Sequence, residues 1–92
     1  MNLTTFWNEV LNDIKPKLKP YIFNGYLQNT ELVKKIDEEK TLVVVAQSFA
    51  ITKIKGDLLD ELEECIKEHL NEYYKLKLIE EKEKKKYVQV EQ

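Results

Sequence analysis

The chain has one histidine and one cysteine, His69 and Cys65, four residues apart. On a helix that spacing puts both on one face, where they offer two of the four ligands of a metal site. No other His or Cys can complete it, so the ordinary reading is a buried thiol and a helix-terminal imidazole that suits the helix dipole. Carboxylates stand in pairs, as at Glu63/Glu64 and Glu80/Glu81. Acid–base catalysis needs such a pair in a cleft that drives the two pKa values apart. These fall on the charged face of a helical pattern and in a charge run, where they read as solvated. Ser48 has no nearby candidate base and lies in no G-x-S-x-G elbow. The two glycines, Gly25 and Gly56, are too far apart for a phosphate-cradling loop. The chain therefore reads as a non-enzyme with no metal and no cofactor.

The aromatic residues offer recognition instead. Trp7 follows Phe6, and adjacent residues on a helix point in different directions, so either one of the two faces partly outward or both are core. Phe49 follows a polar break at the start of a helix, where exposure is common. Half-exposed aromatics on a small domain are typical anchors for a protein partner. Lys15, Lys17, Lys19, Lys53 and Lys55 would form a basic edge beside Phe49. Lysines next to an aromatic can hold single-stranded nucleic acid weakly; ordinary surface charge is the plainer reading.

These residues are positioned by a strand–helix unit at Thr41–Ile54. Leu42–Ala46 is rich in β-branched residues and reads as a buried strand. Gln47 and Ser48 break it, with Ser48 placed to cap the next helix. That long helix, from about Phe49 to Asn71, carries Ile51, Ile54, Leu58, Leu59, Leu62, Cys65, Ile66 and Leu70 at helical spacing. Its outer face holds Asp57, Asp60, Glu61, Glu63, Glu64, Lys67 and Glu68. Upstream, Thr4 or Thr5 caps a helix with Phe6, Trp7, Val10, Leu11 and Ile14 inward, which Pro16 ends. Pro20 opens a short second helix through Leu27. Glu31–Ile36 reads as a strand, turned back by Asp37–Lys40 into Thr41–Ala46. Tyr73–Ile79 alternates as a third strand, with Tyr74, Leu76 and Leu78 on its buried face. Glu80–Lys86 reads as a solvated tail, and Tyr87–Glu91 alternates weakly. The order is α-α-β-β-α-β. The fold class is α+β, a three-stranded sheet packed against helices, with one interaction domain over 1–79 and a charged tail or linker over 80–92.

Composition agrees with one small domain. The chain has 92 residues, 42% hydrophobic and 35% charged, with a formal net charge of −2. That acidic balance is no footprint for a duplex-DNA binder. A single cysteine excludes an internal disulfide and fits a reducing compartment. No apolar run approaches the roughly 18 residues of a membrane span, and the N-terminus lacks a signal peptide's plan. The expected location is cytoplasmic.

Phe6-Trp7-Asn8-Glu9-Val10-Leu11-Asn12-Asp13-Ile14, then Lys19-Pro20 and Phe23, then Thr41–Ala46 and Phe49-Ala50 before a long helix, resembles the N-terminal domain of the bacterial replication initiator DnaA. The resemblance covers roughly residues 5–79. It implies a KH-like fold and an adaptor role that recruits the replicative helicase, self-associates and binds initiation regulators. It places Trp7 at a self-association surface, and Ile22, Phe23, Gln47, Ser48, Phe49 and Ala50 at the partner surface. Gln47-Ser48 replaces the family's Pro-Asn step, Ile22 stands where some members have an acidic residue, and a Trp common in helix 2 is either replaced by Tyr26 or lost. The chain stops before any ATPase or duplex-DNA-binding domain, so the resemblance implies a fragment. The clamp-loader γ/τ subunit interaction domains share this pattern. A KH nucleic-acid-binding module is the other alternative, against which stands the missing G-x-x-G clamp.

Overall fold

The first helix is started by Asn2, not by Thr4 or Thr5. In the computed structural model, which describes residues 1–88, the Asn2 side chain accepts a hydrogen bond from the Thr5 N–H at 3.0 Å and caps α1 (Leu3–Ile14). Asn is among the best N-caps, so the helix begins earlier than its apolar period alone indicates. Pro16 ends it, and Lys15–Lys17 form a 3-10 turn. Pro20 opens α2 (Pro20–Ile22), which widens at once into a π-helical turn, Phe23–Leu27. There the Gln28 N–H donates to the Phe23 carbonyl, five residues back, at 3.0 Å.

Strands β1 (Glu31–Ile36) and β2 (Thr41–Val45) form the expected antiparallel hairpin, joined through a 3-10 turn at Asp37–Glu39. The imperfect alternation of β1 has a cause. A bulge falls between Leu32 and Lys34, so Leu32 packs on the helix side while Val33 and Ile36 pack on the other. β3 (Lys75–Ile79) starts two residues later than expected and pairs with β2 in parallel. The sheet order is β1-β2-β3, which makes β2 the central strand and accounts for the burial of every residue in it.

The expected long helix is two helices, α3 (Ser48–Lys53) and α4 (Leu59–Leu70), joined by a second π-helical turn, Ile54–Leu58. The buried residues explain it. Ala50, Ile54, Leu58 and Leu62 repeat every four positions. In a regular helix each such step overshoots one full turn by about 40°, so the stripe would slide off the core within three steps. A wider turn takes up the overshoot and keeps all four inward. Gly56 lies in this turn, as Gly25 lies in the first, and an added Cβ meets nothing within 4 Å at either. Gln47 occupies the N-cap position of α3 without a side-chain hydrogen bond, so the capping expected of Ser48 does not occur. Asn71, in the left-handed conformation, closes α4.

One face of the sheet packs on α1, the second helix and α4, burying Leu42, Val44, Ile14, Ile54, Leu62 and Ile66 among others. The opposite face presents Val43, Val45 and Ile79, which are also buried. Their cover is the segment expected to be a solvated tail. Glu81–Lys86 form a 3-10 helix opened by a reciprocal cap between Glu80 and Glu83. Lys84 pairs with Glu31 at 3.0 Å, and Tyr87 packs on the valines with the Lys77 ammonium 5.3 Å from its ring. The packed unit thus runs past residue 79 at least to Tyr87. Of the weak alternation at Tyr87–Glu91, Tyr87 and Val88 form a turn and a bend; the remainder lies outside the described residues. No helix among the described residues is long and apolar enough to cross a membrane.

Candidate protein-docking face

The second helix and α3 lie side by side and share one exposed face. Phe23 and Leu27 turn inward from the second helix, and Ala50 from α3, all three buried. Ala50 is small, which lets the two helices approach. The neighbouring positions are thereby forced outward: Tyr21 is 67% exposed and Phe49 60%. Between them lies Tyr26, half-buried, its ring centroid 6.0 Å from that of Phe49 at a 58° tilt. The Lys53 ammonium stands 5.8 Å from the Tyr26 ring and pairs with Asp57 at 2.7 Å. That hydrogen bond raises the Lys53 pKa above the ordinary lysine value, with Tyr26 and Tyr21 adding to it. Lys15 sits 5.5 Å above the Phe23 ring. Full burial of an aromatic side chain contributes roughly 1.5–3 kcal/mol, so two left in water on adjacent helices mark a surface suited to contact.

The other side of Phe49 opens on a cleft of about 740 Å3 at the carboxyl ends of β2 and β3. Asn29, Gln47, Ser48, Glu80, Glu81 and Lys82 are among the residues that line it. Phe49 is therefore a ridge, with an aromatic–cationic patch on one side and a cleft of mixed polar and apolar lining on the other.

Of the residues expected at the partner surface, Gln47, Ser48 and Phe49 are exposed and contiguous, and Ile22 is half-buried beside them. Phe23 and Ala50 are core. They support the face from beneath and offer no side chain to a partner. Tyr21, Tyr26, Lys15 and Lys53 belong to the face although the sequence reading does not place them among the partner-binding residues. The signal exists: with Phe23 and Leu27 inward, Tyr21 and Tyr26 fall on flanking positions of the same helix.

Trp7 is core, the second of its two readings, and does not lie at the self-association surface that the resemblance implies. It is 3% exposed, and its Nε1–H donates to the Thr30 hydroxyl at 2.9 Å; that hydroxyl donates in turn to the Leu27 carbonyl. Phe6 is buried as well, edge-on to His69 at 5.8 Å. Neighbours on one helix can both be buried when elements flank it on two sides. Here α4 covers Phe6, and the junction between the second helix and β1 covers Trp7. The indole is a tie within the fold and presents no surface to a second copy.

His69 and Cys65 do not converge on a metal site. His69 Nε2 lies 2.5 Å from Asp13, bridging the ends of α4 and α1. Cys65 is fully buried, which pushes its thiol pKa up, and Lys17 Nζ stands 3.9 Å from its sulfur. No group of three or more His, Cys, Asp or Glu among the described residues is placed to hold a metal ion. Glu63, expected on the outer face of the helix, is buried. It accepts hydrogen bonds from the Tyr73 hydroxyl at 2.7 Å and the Leu76 N–H at 3.2 Å, and so fastens α4 to the outer edge of β3. Profiles of known protein families and the set of curated proteins contain no match to this sequence.

Proposed function

We propose that this chain is a protein–protein adaptor domain, similar to the N-terminal domain of the bacterial initiator DnaA, acting in the cytoplasm in replication initiation. On this reading it has a KH-like fold, performs no catalysis, and recruits the replicative helicase and initiation regulators through the face made by the second helix and α3. The observation that carries the reading is the exposed Phe49 ridge, flanked by Tyr21 and Tyr26 on one side and by Gln47, Ser48 and the cleft on the other. An exposed aromatic seated on a rigid two-helix platform is the kind of group that dominates an interface. Weak self-association stays within the proposal, but by a surface other than the Trp7 ring.

The lysines beside these aromatics favour a second reading, weak binding of single-stranded DNA. Amide chemical-shift titration separates the two. With the amino-terminal domain of the replicative helicase, shifts are expected at Tyr21–Ile22 and Gln47–Lys53. Shifts only with single-stranded oligonucleotide, along Lys15–Lys19 and Lys53–Lys55, would replace the adaptor reading with the nucleic-acid one.

A further inference from the structure

Charge is unevenly distributed along the chain. Between Ile14 and Thr30, and again between Thr41 and Gly56, there is no aspartate or glutamate, although the chain has 17 of them. The charged residues in those two windows are Lys15, Lys17, Lys19, Lys53 and Lys55. The windows supply the second helix and α3, which form the docking face. Lys17 turns away toward Cys65. Lys53 lies over the Tyr26 ring of the face, Lys15 over the buried Phe23 ring that supports it, and Lys19 and Lys55 are exposed on the segments that border it. A chain with a net charge of −2 thus carries Tyr21 and Phe49 on a cationic ground, whereas its other exposed aromatic among the described residues, Tyr73, hydrogen-bonds to Glu63.

The patch is also bounded. Acidic residues resume within the second π turn, at Asp57, which pairs with Lys53, and continue at Asp60 and Glu61, all three exposed. On the far side of Phe49, Glu80 and Glu81 line the cleft. A long polyanion laid across the lysines would run into like charge at both ends. The aromatics point the same way. Tyr26 and Phe49 pack against each other at a tilt and do not form the successive parallel platforms on which bases stack. A short acidic segment with one or two apolar side chains meets neither obstacle. Its apolar side chain would sit between Tyr21 and Phe49, and its carboxylates would face Lys15, Lys19, Lys53 and Lys55.

From this we infer that the face selects its partner by charge, and that the partner contributes a short, acidic, amphipathic segment of another protein. The inference rests on the docking reading and adds the partner's chemistry to it. Charge of this kind acts chiefly on encounter rate and on the choice between partners, and it weakens as salt rises.

The test uses the isotope-labelled protein and three synthetic peptides of about 16 residues, long enough to form a helix on binding. One carries a leucine–phenylalanine stripe flanked by glutamates, the second the same stripe flanked by lysines, and the third the glutamates with serine in place of the stripe. A thymidine oligonucleotide is the fourth ligand. The acidic striped peptide is expected to shift Tyr21, Phe49 and Lys53 and to bind at least about tenfold more tightly than the other two peptides. Raising NaCl from about 0.05 to 0.5 M should remove most of that advantage. Combining Lys15→Glu, Lys19→Glu and Lys53→Glu should remove it at low salt. Lys34→Glu with Lys75→Glu, a charge change made elsewhere on the surface, should not. Equal or tighter binding of the lysine-flanked peptide at the same face overturns the charge assignment and leaves the docking face standing. Shifts with the oligonucleotide alone, or no peptide shifts at this face, overturn the docking reading itself.

Discussion

Two apolar surfaces among the described residues are left uncovered by the helices, and the fold treats them differently. On the back of the sheet, Val43, Val45 and Ile79 are sealed by a strap of its own chain, with a capped 3-10 helix, an ion pair to Glu31 and the Tyr87 ring. On the second helix and α3, Tyr21 and Phe49 stay in water although the strap begins at the rim of the same cleft. The exposure of Phe49 is therefore not the overflow of a chain too short to cover its apolar groups. On the docking reading, the difference separates packing from recognition: the covered face is aliphatic, whereas the open face is aromatic and bordered by lysines.

The largest effect is expected at Trp7, which belongs to the covered class. Trp7→Ala should cost about 3–5 kcal/mol in chemical denaturation, because it opens a cavity and leaves the Thr30 hydroxyl without its donor. If Trp7→Ala is as stable as the parent, the indole is not an internal tie. Tyr87→Ala should cost about 1–3 kcal/mol and raise the binding of a hydrophobic dye, since the valines lose their lid. An unchanged stability there would make the strap ornamental and dissolve the contrast between the two faces. Phe49→Ala should change stability by less than about 0.5 kcal/mol while weakening partner binding about tenfold or more. Unfolding of that variant would move Phe49 into the covered class.

Two smaller effects sharpen the picture. Gly56→Ala should stabilise by about 0.5–1 kcal/mol, because the site is open and alanine restricts the unfolded chain. The last concerns pH. The hydrogen bond from Lys35, aided by one from Tyr74, holds the Asp37 carboxyl below its ordinary value. A depressed carboxyl contributes stability that is present above its unfolded pKa and is lost as pH falls through the folded one. Asp37→Asn should accordingly flatten the loss of stability below about pH 4, and leave that at neutral pH lower than in the parent.

Much of this architecture is legible in the residues. The strand at Glu31–Ile36, the helix stop at Pro16 and the helix start at Pro20 each have a local cause and sit where the sequence puts them, and the run expected over Thr41–Ala46 forms a strand one residue shorter, Thr41–Val45. The features that escape depend on tertiary context. A four-residue apolar repeat looks helical whether the turns are α or π. The run Glu80–Lys86 reads as solvated until the valines beneath it are seen to need a cover. Glu63 looks like its acidic neighbours until β3 brings an unpaired N–H to it. Trp7 looks exposable because one helix cannot bury two adjacent residues against one neighbour, and α1 has two. In the candidate site, Phe49 is legible from the strand break before it. The tyrosines around it need the pairing of two helices.

The parallel pairing of β2 with β3 has a consequence for synthesis. The hairpin of β1 and β2 can close as soon as it leaves the ribosome, since its partners are near in sequence. β3 must wait for the whole α3–α4 crossover, and the strap comes after β3. The back of the sheet is thus apolar and uncovered for the longest stretch of translation, with Val43 and Val45 presented on a growing chain. That nascent interval, more than any state of the finished fold, is where the protein is most open to aggregation and most in need of a chaperone.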